Sequence, residues 1–426
     1  MRRGRLPVMA LLGLWCLHAT TGHAQDVATR VTPAISEPVY AALAKAQRLV
    51  AAGDPEAARV LLDRLREGRR LTPYEIAQSW NYTAYIELQR EAYAGAIAAY
   101  REVLEQGELP EALRQGTLKT LAQLHFTVGE YARAIERVQA FEGVGGLLDP
   151  DLHLLLGQAH YELADFAAAL PHVEKAVAMS REAGEPPAEN RLLLLQAIHH
   201  QREDLERLEA ISLELATRYP RPRHLRTLAG VYSRRGDTRK LLSIMETLYD
   251  RQALTGEAEL RNLANLYLLH GTPAKSARLL ERERAAGRLP ADPVTWQLLA
   301  QAWLQAREPR RAIAPLQRAL KAGGEAEIAP RLARLHLDLE QWDQAVAVLE
   351  AALARGELKR SDRAQLMLGS AEFNRGRHAA ARRAFVMARE DARSRDTAER
   401  WLGYLDEEAR RRRILEATLE AAKRDS

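Results

Sequence analysis

Amides, arginines and a few aromatic residues recur along this chain at a fixed offset from its core-type residues. Almost all of them follow a core-type residue by one position in a segment with helical spacing, about 100° around the helix from the apolar stripe. An amide can both donate and accept, so it can pair with an extended peptide backbone, whereas a guanidinium favours carboxylates. The pattern predicts a peptide groove lined by Asn81, Tyr85, Lys119, Gln123, Phe126, Gln158, Tyr161, Arg223, Arg226, Arg261, Asn265, Gln297, Gln301 and Arg334. The alternative is a solvated face without a partner, because exposed polar stripes need none.

Residues suited to catalysis or metal binding show no comparable order. The chain has no glycine-rich phosphate loop, no His-Glu-x-x-His motif and no nucleophile elbow. His199 and His200 are adjacent, so on a helix their side chains diverge by about 100° and cannot share a metal. His153 and His160 share a helical face, but at positions that an apolar core would fill. We therefore expect no enzyme activity, no cofactor and no metal site.

The polar stripe must lie on helices, and residues 296–320 show how these helices are arranged in pairs. One helix carries an apolar face with spacings of three and four residues: Trp296, Leu299, Ala300 and Trp303. A second helix begins at Pro309, because proline suits the first turn of a helix, and its apolar face is Ala312, Leu316 and Ala319. Two helices of this length cannot bury both faces alone, so neighbouring pairs must cover them.

The same spacing returns along nearly the whole chain at a period of roughly 34 residues. First helices carry a large residue, Leu followed by Gly or Ala, and an aromatic residue, as in Leu263-Ala264 with Tyr267. Second helices alternate small and large residues. This pattern resembles the tetratricopeptide repeat. The resemblance implies an all-α fold, a right-handed superhelical solenoid of about ten helix pairs, closed by a C-terminal capping helix.

The resemblance also implies that the polar stripe of the first helices lines the inside of the superhelix. Arg261 and Asn265 resemble half of a carboxylate clamp, although Leu298 stands where the next repeat would supply another polar residue. We expect a protein or peptide partner. Arg223, Arg226 and Arg261 come from consecutive repeats, so we expect their first helices to stand side by side and their three guanidiniums to lie along one concave strip, with Asn265 beside them.

The N-terminus predicts export. Arg2, Arg3 and Arg5 precede an apolar stretch that is too short to span a bilayer, and Ala24 ends a sequence suited to a signal peptidase. We therefore divide the chain into a signal peptide (1–24), a polar lead segment (25–38), the solenoid (39–394) and a C-terminal capping helix and tail (395–426). The expected location is the periplasm, with no transmembrane segment after cleavage.

Composition agrees with an exported protein that does not bind nucleic acid. The single cysteine, Cys16, falls in the signal peptide, so the mature chain has no thiol chemistry. Removal of the three N-terminal arginines leaves 59 basic and 57 acidic residues, which gives no basic footprint for nucleic acid. The cluster at residues 410–413 is basic but adjoins four acids, which favours a charged outer face of the capping helix over an anion-binding patch.

Some segments also resemble one particular group of tetratricopeptide proteins. Four segments look similar to periplasmic tetratricopeptide proteins encoded beside TonB, ExbB and ExbD. They are Leu263-Ala264-Asn265-Leu266-Tyr267, Ala277-Arg278-Leu279-Leu280-Glu281, Trp303-Leu304-Gln305-Ala306-Arg307-Glu308 and Trp401-Leu402-Gly403-Tyr404-Leu405. That resemblance implies a non-catalytic adaptor that contacts TonB, ExbB or ExbD and assists energised outer-membrane transport. The alternatives are a scaffold for envelope or polysaccharide assembly and the accessory region of a cell-wall enzyme. The last would need a catalytic domain, for which the repeats leave no stretch.

Overall fold

The computed structural model of this chain describes residues 34–424, and within that range it contains twenty-one α-helices and no strand. The all-α prediction is confirmed. The predicted signal peptide and most of the polar lead segment lie outside the described residues. Among the described residues, no helix combines the length and apolar character needed to cross a membrane.

The described residues divide into two compact units, with the boundary between Ile198 and His199. The first unit contains α1 (Glu37–Ala51), α2 (Pro55–Gly68), α3 (Pro73–Gln89), α4 (Tyr93–Glu105), α5 (Glu111–Thr127), α6 (Tyr131–Gly143), α7 (Pro150–Glu162) and α8 (Phe166–Glu182). Helix α9 (Glu189–Gln201) crosses the boundary. The second unit contains α10 (Leu205–Arg218), α11 (Pro222–Arg235), α12 (Thr238–Asp250), α13 (Glu257–Leu269), α14 (Pro273–Ala285), α15 (Pro293–Gln305), α16 (Pro309–Lys321), α17 (Ile328–Asp338), α18 (Trp342–Arg355), α19 (Ser361–Asn374), α20 (His378–Arg389) and α21 (Arg395–Arg424).

Local chemistry explains where many helices begin. Prolines occupy the first turn of several helices, where their missing N–H costs nothing. Four second helices begin after an aspartate whose side chain accepts a hydrogen bond from the backbone N–H three residues later: Asp54, Asp165, Asp204 and Asp237. Thr72 and Glu75 form a capping box at the start of α3. The repeat boundaries therefore follow from residues that cap or start helices.

Consecutive helices pack in pairs within each unit, and each pair packs on the next. In the second unit one continuous apolar cluster runs from α10 to α17, and it includes the predicted core face of α15. Trp296, Leu299, Ala300 and Trp303 are all buried, which confirms the register assigned to that helix. A further cluster joins α17, α18 and α19.

Every turn between the first and second helix of a pair contains one residue in the left-handed region, with φ between +56° and +84°. Five of these residues are glycines, which adopt that conformation without steric cost. The other five carry side chains: Glu91, Ala164, Glu203, Arg307 and Glu340. A left-handed residue is therefore common to all ten turns, although the residue type differs.

Helix α21 closes the second unit. Its residues Leu402 and Leu405 are buried against Ala381 and Phe385 of α20, and Trp401 stacks on Phe385 with ring centroids 5.1 Å apart. Two arginines of the basic cluster pair with acids one turn earlier, Arg411 with Glu407 and Arg412 with Glu408. The last turns of the helix then expose apolar side chains, Ile414, Leu415 and Leu419.

Candidate functional site

All fourteen candidate residues lie on first helices of pairs, and none of them is buried. They are carried by α3, α5, α7, α11, α13, α15 and α17. The residue immediately before most of them is buried, as Ala264 before Asn265 and Ala300 before Gln301 show. The predicted offset between a core stripe and an accessible polar stripe is therefore present in the structure.

Four of the candidates converge on one cavity of about 470 Å³ in the second unit. Arg261 and Asn265 reach it from α13, and Gln297 and Gln301 reach it from α15. The cavity also has apolar walls, which Val294, Leu298, Ala300, Leu304 and Leu316 provide. Cavities of this size, apolar with a few placed polar groups, are typical of ligand sites.

Two further polar residues of this cavity were missed by the stripe rule. Gln305 lies four residues after Gln301 on α15 and extends the row of amides by one helical turn. Arg331 enters from α17 and forms no ion pair within the part of the chain that the structure describes. Extension of the four-residue spacing from Gln301 would have found Gln305. Arg331 carried no such signal, because it precedes a core residue instead of following one.

Arg261, by contrast, is not a free cation. Its Nη2 atom lies 2.7 Å from an oxygen of Asp292, the N-cap of α15, and donates to Thr295 at 3.0 Å. Partial burial raises the pKa of Asp292, but hydrogen bonds from Thr295 and Arg261 outweigh it and hold that pKa below its usual value. Arg261 therefore joins two consecutive first helices and contributes only part of its surface to the cavity.

Two other candidate residues, like Arg261, form ion pairs that join consecutive first helices. Arg226 on α11 pairs with Glu259 on α13 at 3.1 Å and also donates to the backbone oxygen of Ala253. Lys119 on α5 pairs with Asp149, the N-cap of α7, at 2.6 Å. Arg226 and Arg261 are therefore already paired with carboxylates, and each ties its own helix to the next first helix.

The remaining candidates stand apart from the cavity. The aromatic ones contact a second ring beside them: Tyr85 with Tyr82, Phe126 with Tyr131 and Tyr161 with Phe166. Arg334 pairs with Asp338 on its own helix, and Arg223 lies against His224. Asn81, Gln123 and Gln158 remain accessible on α3, α5 and α7. The structure thus selects four of the fourteen for one cavity.

A histidine cluster lies in the first unit, where the sequence suggested only packing. His153 Nδ1 is 3.3 Å from Nδ1 of His172, and the His160 ring stacks on His172 with centroids 5.8 Å apart. Burial lowers the pKa of His153 and of His172, and the neighbouring imidazoles lower that of His172 further. Across the described residues, no group of three His, Cys, Asp or Glu side chains has an arrangement that could hold a metal ion.

Comparison with known proteins agrees with this geometry. The family model described as tetratricopeptide repeat matches residues 43–112, 119–186 and 331–395. These three segments carry tetratricopeptide repeats. The repeats of this class bind peptides or proteins, so the fold supports a protein-interaction scaffold. No curated protein matches the chain.

Solved structures of tetratricopeptide-repeat proteins match parts of this chain at low sequence identity. One from Parabacteroides merdae is 14% identical, with a TM-score of 0.36, and the match covers 71% of this chain and 100% of that one. The TPR2AB domain of yeast Sti1, in its complex with pHSP90, is 15% identical with a TM-score of 0.35 over 63% and 98% of the two chains. YrrB, a protein with an unusual peptide-binding site, is 16% identical with a TM-score of 0.34 over 41% and 85%.

Proposed function

We propose that this protein is a non-catalytic scaffold that binds an extended segment of a partner protein in the cavity between α13, α15 and α17. The observation that carries the proposal is the amide row of α15 beside apolar walls. Gln297, Gln301 and Gln305 line the cavity together with Val294 and Leu304, whose side chains are 57% and 42% exposed. An extended peptide can form backbone hydrogen bonds with the unpaired amides while its alternate side chains contact the exposed apolar groups.

The spacing of the amides fits an extended peptide. Residues four apart on an α-helix are about 6 Å apart along its axis, from a rise of 1.5 Å per residue. Every second residue of an extended chain recurs at about 6.6–6.8 Å, close to that value. An extended peptide along α15 can therefore meet Gln297, Gln301 and Gln305 with the backbone of successive alternate residues.

Charge indicates which partner the cavity prefers. Asp292 already pairs with Arg261, whereas Arg331, at the wall of the cavity, has no acidic partner among the described residues. A carboxylate of the partner, from an acidic side chain or a chain terminus, would gain a charge-assisted hydrogen bond from Arg331. We therefore assign Arg331 the anion-binding role that the sequence suggested for the arginines of α11 and α13.

The cellular setting forms part of the same proposal. The basic, apolar and small-residue segments of residues 1–24 support export to the periplasm. Similarity to the tetratricopeptide proteins encoded beside TonB, ExbB and ExbD supports a partner within such a transport complex. The proposed role is an adaptor that holds an extended segment of that partner.

A crosslinking experiment tests the site. A photocrosslinking amino acid at Gln301 should capture a partner in intact cells, whereas the same group at Arg389, in the last turn of α20, should not. Mass spectrometry of the product identifies the segment that is bound. Equal capture from both positions would contradict the proposal.

Affinity measurements with that segment then test the chemistry. Replacing Gln297 and Gln301 together with alanine should weaken binding by roughly tenfold to a hundredfold, since each lost hydrogen bond costs about 0.5–1.5 kcal/mol. Arg331→Gln should weaken binding and reduce its salt dependence. Arg334→Gln, on the same helix but outside the cavity, is the matched control and should leave both unchanged.

A further inference from the structure

A second cavity, of about 440 Å³, opens beside α16, α17 and α18 and differs in chemistry from the first. Its lining is almost wholly apolar: Leu320, Ala326, Ala329, Leu332, Ala347, Val348, Ala351 and Ala352. Its polar lining consists of Gln317, Lys321 and Arg355. The volume falls within the range of ligand sites, roughly 300–1,000 Å³.

Small side chains create this cavity at a junction in the core. Leu320 and Val348 are only partly buried and pack against both the cluster that ends at α17 and the cluster that begins there. Five alanines surround them, so the space between the two clusters stays open. An apolar group that entered would contact both clusters and remove apolar surface from water.

The two cations at this cavity are unengaged. Lys321 lies in the last turn of α16 and Arg355 in the last turn of α18, and both are exposed. Within residues 34–424 neither side chain forms an ion pair or a hydrogen bond. Both favour an anion at this end of the cavity, although each also complements the negative end of its own helix.

The lining argues against a peptide as the occupant. A peptide brings a donor and an acceptor at nearly every residue, and burying them unpaired is costly. Gln317 is the one uncharged polar side chain of this lining, in contrast to the four amides of the first cavity. A ligand with a plain hydrocarbon tail and a single anionic head fits this distribution. The lined stretch of α18, Ala347 to Arg355, is about 12 Å long at 1.5 Å per residue, which suits a medium-length chain.

We propose that this cavity binds a single molecule of an aliphatic carboxylate, with the hydrocarbon tail on the alanine-rich floor and the carboxylate group beside Lys321 and Arg355. This site is separate from the peptide cavity and does not depend on the function proposed for it. Binding should couple α16, α17 and α18 and protect all three against local opening, since a ligand stabilises the state to which it binds.

Equilibrium dialysis of the full chain with labelled decanoate, at concentrations below those at which it aggregates, tests the proposal. We expect one saturable site. The double variant Lys321→Gln and Arg355→Gln should lower the affinity about tenfold or more, since charge-assisted contacts are the strong ones. Arg389→Gln is the matched control, because Arg389 occupies the same last-turn position in α20 but does not line the cavity.

Further measurements test where the hydrocarbon tail binds and whether the negative charge of the ligand matters. Ala351→Leu places an added side chain on an exposed part of the floor and should block decanoate without lowering the melting temperature. Decan-1-ol, which lacks the charge, should bind more weakly and respond little to the two charge variants. Hydrogen exchange with decanoate present should slow in α16, α17 and α18.

Three results would overturn the proposal. The first is no saturable binding of decanoate to the unaltered chain. The second is binding that the charge variants and Ala351→Leu both leave unchanged, or that protects other helices instead. The third is capture of the chain by anionic phosphatidylglycerol vesicles, sensitive to Lys321 and Arg355, with no binding of free decanoate, which would make the cations a membrane-surface contact.

Discussion

Replacing Trp303 with alanine should produce the largest local loss of stability in the second unit. The ring is 2% exposed, its Nε1–H donates to Glu281 on the preceding helix at 3.2 Å, and the Arg311 guanidinium lies 3.4 Å from its centroid. An aromatic side chain buries about 150–250 Å², which at about 25 cal/mol per Å² gives roughly 4–6 kcal/mol as an upper value. Partial collapse of the site brings the expected cost to about 3–5 kcal/mol.

Hydrogen exchange is the suitable assay, because a repeat protein need not unfold in one step. A loss of 3 kcal/mol corresponds to a fall in protection of more than about a hundredfold. The fall should be greatest in α14, α15 and α16, which surround the ring, and should fade within one pair on either side. Trp303→Phe, which retains an aromatic ring but loses the N–H donor, should cost roughly 1–2 kcal/mol.

Leu304→Ala is the matched control in the same helix, because Leu304 is the next residue and is 42% exposed. Its cost should stay within about 0.5 kcal/mol, the usual range for surface positions. The reasoning fails if Trp303→Ala costs less than about 1.5 kcal/mol, half of the expected minimum. It also fails if protection falls equally in both units, since that would show coupling beyond nearest neighbours.

Three further predictions concern other parts of the chain. Burial raises the pKa of Glu75, but hydrogen bonds from Ser36 and Thr72 lower it to about 2, below its unfolded value of about 4.3. The stabilisation from this pKa shift is therefore complete above the unfolded value and lost as the pH falls toward the folded one. The protection factor of α1, taken against the intrinsic exchange rate at each pH, should fall on acidification, and should fall less in Glu75→Gln. A double-mutant cycle on Arg261 and Asp292 should give a coupling of about 0.5–1 kcal/mol, and a value of zero within error would make their contact incidental. Mass spectrometry of the mature protein should find Gln25 at its N-terminus, and a chain that still carries residues 1–24 would exclude cleavage.

The core of this protein could be predicted because the residue spacing within each single helix specifies which face is buried. The spacing of Leu263, Ala264 and Tyr267 within one helix already specifies which face is buried, and all three are buried in the structure. The same holds for the turns, since Asp54 and Thr72 cap helices through residues only three positions away. Such features depend on helical geometry and not on how one pair rotates against the next.

The charged contacts between pairs could not be read from one repeat. Arg226 and Glu259 are 33 positions apart, and Arg261 and Asp292 are 31 apart, so their meeting depends on the stacking of consecutive pairs. A signal nevertheless existed, because both separations are close to the repeat period of roughly 34 residues. A search for opposite charges one period apart would have found these two pairs and predicted that neither arginine is free.

The left-handed residue in each intra-pair turn has a consequence for engineering. Glu91, Ala164, Glu203, Arg307 and Glu340 adopt at φ near +57° a conformation that costs an L-residue roughly 1–2 kcal/mol. Glycine would remove that cost while adding flexibility to the unfolded chain, for a net gain of up to about 1 kcal/mol at each site. The five positions lie in five different turns and share no partners, so their gains should add. The heat resistance of this protein can thus be adjusted in steps, by changes that leave every groove and core side chain as it is.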